Sequence, residues 1–76
     1  MKNNKLLYKA LKSRYEAQRG SALATLDVYF TNAVGIGEHP QIVDEMAKQL
    51  DLLAAAEDGL EALKKNFPWH FSRKTL

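Results

Sequence analysis

Few residues in this 76-residue chain are of types that do chemistry. Cysteine is absent, which excludes disulfides and thiolate metal sites. His39 and His70 lie 31 positions apart. They fall at opposite ends of the architecture derived below, which argues against a two-histidine metal site. A phosphate-cradling loop needs G-x-x-x-x-G-K-[ST] after a strand. Gly35-Ile36-Gly37 precedes a helical pattern but lacks the third glycine, the lysine and the hydroxyl. Glu38, Asp44 and Glu45 stand beside it and would repel phosphate, although a helix start favours anions in general. Asp44-Glu45 matches a Walker B pair only as a dipeptide, inside a helical pattern. Glu57 and Glu61 are an ordinary i, i+4 surface pair, and no Ser-His-Asp arrangement can be placed. The expectation is a protein that is no enzyme on its own and uses no cofactor or metal.

Two clusters have chemistry suited to contact. Lys2, Lys5, Lys9 and Lys12 recur along one helical stretch, a spacing that could track phosphates; the other reading is a solvated terminus. Phe67, Trp69 and Phe71 place three aromatics in five residues, with Arg73 and Lys74 just beyond. Three readings compete for that tail: a hydrophobic cap on the fold, an anchor for a partner protein, and a stacking platform for bases that Arg73 and Lys74 would assist.

The elements that position these groups are helical. Residues 3–33 contain no proline and only Gly20. Tyr8, Leu11, Tyr15, Ala22, Leu26, Tyr29 and Ala33 step by three, four or seven, which sets them on one helical face. Leu6, Leu7, Leu23 and Phe30 widen that stripe. Gln18 to Ser21 interrupt it, so one helix with a soft centre is expected. Residues 34–39 punctuate the chain: Gly35 suits a helix C′ position, Gly37 a second unusual dihedral, His39 an N-cap, and Pro40 the first position of a new helix. Over residues 40–66, Val43, Met46, Leu50, Leu53, Glu57, Leu60, Lys64 and Phe67 alternate steps of three and four, a heptad-like seam. Ile42, Ala54, Ala56 and Leu63 flank it. Pro68 stops the helix, and residues 67–76 form a tail.

These signals predict one all-α domain: an antiparallel two-helix hairpin with the aromatic tail folded back near Leu6 and Leu7. A lone hairpin buries only one stripe per helix. Docking to a partner or pairing into a homodimeric four-helix bundle is therefore expected. Charge is partitioned as well. Residues 1–35 carry six basic and two acidic side chains, and residues 36–66 three basic and seven acidic. Arg14 and Arg19 are expected to face Asp51, Glu57 and Asp58 across the hairpin. No apolar stretch is long enough to span a membrane, and no signal-peptide pattern opens the chain, so the expected compartment is the cytoplasm.

Three segments carry a resemblance: Lys9-Ala10-Leu11-Lys12-Ser13-Arg14-Tyr15-Glu16-Ala17, Asn32-Ala33-Val34-Gly35-Ile36-Gly37-Glu38-His39-Pro40-Gln41, and Ala56-Glu57-Asp58. Together they resemble small helical proteins of T-even-like bacteriophages, the family associated with the UvsW DNA helicase. The resemblance covers roughly residues 5–60 and is most specific at the glycine turn. It implies recombination-dependent replication and repair of a phage genome in the host cytoplasm, with a DNA helicase or other recombination protein, or DNA itself, as partner. No catalytic residue travels with it, and none of the superfamily 2 motor motifs is present. The implied role is a non-catalytic accessory module acting by protein contact and weak DNA contact. The alternative is a structural or regulatory homodimer with no nucleic-acid role.

Overall fold

The computed structural model describes residues 2–32 and 41–68, with the side chains of residues 2–4 left aside. Within them the fold is all-α, as expected. Helix α1 runs Lys2–Thr31 over 30 residues, and α2 runs Gln41–Asn66 over 26. The two pack antiparallel as a hairpin measuring 54 × 18 × 17 Å. Its radius of gyration is 16.3 Å, against about 11 Å for a compact globule of this length. The molecule is a rod.

Helix α1 passes unbroken through Gly20, so the predicted soft centre does not divide it. The Thr25 and Thr31 hydroxyls donate to the carbonyls of Ser21 at 2.9 Å and Asp27 at 2.8 Å, four residues back. Such bonds let threonine sit inside a helix without freeing the backbone. The Asn32 amide closes the last turn on the Val28 carbonyl at 2.9 Å. In α2, Asp44 in the first turn and Lys64 and Lys65 in the last complement the helix dipole. The Asn66 side-chain amide donates to the Ala62 carbonyl at 2.8 Å, and the Phe67 amide to that of Leu63 at 2.9 Å.

The seam between the helices is narrow. Ala22, Leu26, Ala56 and Leu63 are its buried residues, with Ala22 and Ala56 sealed at 1% and 0% exposure. Small side chains on both helices let the backbones approach there. Tyr8, Tyr15, Thr25 and Tyr29 from α1 and Ile42, Met46, Leu53 and Leu60 from α2 are half-buried around them. Gly59 receives the Tyr15 ring: a Cβ there would stand 2.9 Å from Tyr15 Cε1 and Cζ. Across the seam, Gln18 Nε2 donates to the Leu52 carbonyl at 2.8 Å.

The α2 seam differs from the predicted one. Met46, Leu53 and Leu60 face α1 as expected, but Val43, Leu50, Glu57 and Lys64 lie outside. Their places are taken by Ile42, Gln49, Ala56 and Leu63, each one residue earlier. Both rows recur every seven residues, and both combine with Met46, Leu53 and Leu60 into a heptad. The choice follows from chemistry: the inner row seals Ala56 and Leu63, whereas the predicted row would have sealed the charges of Glu57 and Lys64. Phe67, the last predicted seam residue, is 46% exposed. On α1, Tyr8, Tyr15, Ala22, Leu26 and Tyr29 lie in the seam, but Leu11 is exposed and Lys12 turns toward α2 instead. The predicted turn residues Gly35, Gly37, His39 and Pro40 lie outside the described residues. So does the expected fold-back of Trp69 and Phe71.

Candidate functional site: an apolar face and a basic end

Two cross-helix contacts orient the hairpin's outer faces. Arg19 Nε lies 3.4 Å from Glu57 Oε2 on one side. The Gln18 bond to the Leu52 carbonyl marks the other. Helical residues spaced by four or seven share a face. From Arg19 the step of four reaches Leu23 and the step of seven from there reaches Phe30. From Glu57, steps of seven lead back to Leu50 and Val43. These four apolar residues therefore lie on the Arg19–Glu57 side. They are 40%, 68%, 56% and 60% exposed in that order. A shallow open groove lies along the α1 part of this face, lined by Leu23, Ala24, Leu26, Asp27 and Phe30.

The two rows extend the same way toward the open end of the rod. Lys9, Glu16, Leu23 and Phe30 recur every seven residues on α1, and Val43, Leu50, Glu57 and Lys64 on α2. Because the helices are antiparallel, Phe30 is about level with Val43, Leu23 with Leu50, Glu16 with Glu57, and Lys9 with Lys64. One face thus grades from apolar at the turn half, through carboxylates, to lysines at the open end. Sequence reading placed Val43 and Leu50 in the seam and did not single out this face. The recurrence of seven was the signal that could have found it.

The candidate lysines are placed unevenly. Lys5 and Lys9 are exposed one turn apart on α1. Lys12 departs from the expected stripe: its side chain is only 17% exposed and its ammonium lies 3.9 Å from Glu16 Oε2. The side chain of Lys2 is among those left aside, and Arg73 and Lys74 lie outside the described residues. The fold brings Lys64, which the sequence reading placed in the seam and not among the candidate phosphate contacts, alongside Lys9 on the outer face. Of the expected charge pairs, Arg19 meets Glu57, both half exposed. Such a pair is worth well under about 1 kcal/mol.

Phe67 is the described member of the aromatic candidates and is exposed near the open end. Leu6 and Leu7 are exposed there too, at 65% and 68%. Among the described residues no group of three or more histidine, aspartate or glutamate side chains could hold a metal ion. No described helix is long and apolar enough to cross a membrane. Burial raises the pKa of the Tyr8 phenol above its ordinary value of 10.0. Compared with protein-family models, curated proteins and solved structures, the chain matches none.

Proposed function

We propose that this protein is a non-catalytic accessory module that works by contact: its exposed apolar faces hold another protein surface, and its basic end meets a polyanion such as DNA. One observation carries the reading. Ten large apolar side chains are exposed in the described hairpin, whereas its buried core is Ala22, Leu26, Ala56 and Leu63. Scattered apolar residues on a surface are ordinary, but contiguous ones mark contact sites.

The nucleic-acid half of the proposal is supported by the open end. From Lys2 to Tyr15 the chain has no acidic residue. Helix α1 has no carboxylate in its first turn, and Lys5 sits close to the positive end of the helix dipole, where a cation opposes helix stability. A bound polyanion relieves both the mutual repulsion of the lysines and that mismatch. The resemblance to helicase-associated phage proteins supplies the context of recombination, replication or repair.

Fluorescence anisotropy with labelled single-stranded and branched DNA across a salt series tests this reading. Contacts from Lys5, Lys9 and Lys64 should give log K against log salt a slope of roughly −2 to −3. Lys5→Gln and Lys9→Gln should each flatten it by about one unit. An absence of binding at low salt would overturn the DNA-linked role. The second reading, an assembling helical protein without a nucleic-acid role, would then stand on the apolar face.

A further inference from the structure

We infer that the turn-half face of Leu23, Phe30, Val43 and Leu50 docks a basic amphipathic helix of another protein. That helix lies along the rod, its apolar side chains between the two rows and its lysines or arginines toward Asp27, Asp44 and Asp51. The inference rests on the reading of this face as a contact surface and adds the chemistry of its occupant.

The apolar rows have acidic borders. On α1, Asp27 stands four residues after Leu23 and three before Phe30, and it lines the groove with them. On α2, Ala47 holds the corresponding place between Val43 and Leu50. Asp44 lies three residues before Ala47 and Asp51 four after it, which sets both on the next row outward. All three aspartates are exposed. Among the described residues none of the three is ion-paired.

The charge of this half is one-sided. Residues 20–32 and 41–54 carry four acidic side chains and a single lysine. That lysine, Lys48, pairs with Glu45 at 3.4 Å. Steps of four and seven carry Lys48 and Glu45 to Leu52, on the opposite face. At the far end of the apolar rows Arg19 and Glu57 offset each other, as do Lys12 and Glu16 beyond them. The uncompensated charge beside the hydrocarbon is therefore negative. The chain's own neighbouring residues 33–40 hold Glu38 and no lysine or arginine, so the complement comes from another molecule.

Shape and sign then select the occupant. The rows run along the rod, with about 10 Å between successive members at 1.5 Å per residue. Heptad-spaced side chains of a third helix have the same repeat, the helix-in-groove mode of recognition. A third helix would widen the narrow two-helix seam into a bundle core. An anionic lipid surface meets the same aspartates as like charge. A second copy offers hydrocarbon but sets aspartates toward aspartates, which makes it the weaker contact. A basic helix keeps the apolar contact and reverses the sign of the charge interaction.

Anisotropy of three labelled synthetic peptides against the dilute full chain tests the inference. The first is a helix of about 20 residues, roughly 30 Å long, with leucine at heptad spacing and lysine on its flanks. The second replaces its lysines by glutamine. The third keeps the lysines and scrambles the leucines. The lysine peptide should bind tightest, with the glutamine peptide about tenfold weaker for three exposed ion pairs of ordinary size. The scrambled peptide should not saturate. Asp27→Asn/Asp51→Asn should weaken the lysine peptide about fivefold and leave the glutamine peptide unchanged. Leu23→Gln/Leu50→Gln should abolish both, and circular dichroism verifies that each variant folds. Equal affinity of the lysine and glutamine peptides overturns the basic occupant. Equal affinity of the scrambled peptide overturns apolar docking, and binding of none overturns the inference outright. A chain that binds DNA but not the lysine peptide loses this inference and keeps the nucleic-acid half of the contact reading. A chain that binds the lysine peptide but not DNA does the reverse.

Discussion

Gly20 and Gly59 lie inside helices, yet alanine should affect them in opposite ways. Each replacement gains about 1 kcal/mol of helix propensity. At Gly20 nothing lies within 4 Å of the new methyl group, so Gly20→Ala should stabilise the hairpin by about that amount. At Gly59 the methyl group would press on the Tyr15 ring. Overpacking of this kind costs about 1–3 kcal/mol, so Gly59→Ala should give a net loss of about 1 kcal/mol. Urea unfolding followed by circular dichroism checks both. Tyr8 adds a pH effect. Burial raises its pKa in the folded chain, so the unfolded chain releases that proton first. The associated stability is intact below pH 10 and is lost as pH rises through the folded value. Tyr8→Phe should remove this alkaline loss, as a pH series of urea unfolding checks.

At the scale of the element, α2 carries two rows one residue apart, each compatible with a helical seam. The inner row is Ile42, Gln49, Ala56 and Leu63; the outer is Val43, Leu50, Glu57 and Lys64. Leu63→Ala should destabilise the hairpin by about 2 kcal/mol, the lower part of the range for buried leucine truncation. Val43→Gln should cost less than about 0.5 kcal/mol at dilutions where the chain is monomeric. Thermal unfolding of the two variants checks the assignment, and equal costs would place the seam elsewhere. Sequence made the existence of both helices legible, because proline-free periodic runs flank a Gly-Ile-Gly punctuation. The rotation of α2 was less legible. Valine and leucine at positions 43 and 50 score as core on apolar character alone, whereas the structure seals alanine at 56 and leaves glutamine half-buried at 49. The choice depends on which row keeps charge outside along its whole length. Glu57 and Lys64 decide it against the outer row, and Glu57 then meets Arg19 at the surface.

At the scale of the whole molecule, the rod separates two surfaces. The turn half is apolar on the Arg19–Glu57 side, and the open end gathers Lys5, Lys9 and Lys64. The lysine candidates at 5 and 9 were legible as exposed positions in the heptad pattern. Lys12 was not, because its turn toward α2 and Glu16 depends on packing. The apolar face was hidden for a related reason: its members come from both helices and become one surface only after the hairpin closes. The two surfaces should respond differently to salt. DNA affinity should fall steeply as salt rises. Self-association through hydrocarbon should persist or strengthen slightly as the repulsion between equal net charges is screened. Sedimentation at low and high salt checks the second expectation.

Equilibrium sedimentation of the wild-type chain beside a Leu23→Gln/Leu50→Gln variant tests self-association through the apolar face most directly. The wild type should show twice the single-chain mass, and the variant should return to 8.6 kDa while its circular dichroism remains helical. A wild type that stays at the single-chain mass at every concentration, or a variant that associates as tightly as the wild type, would contradict the account.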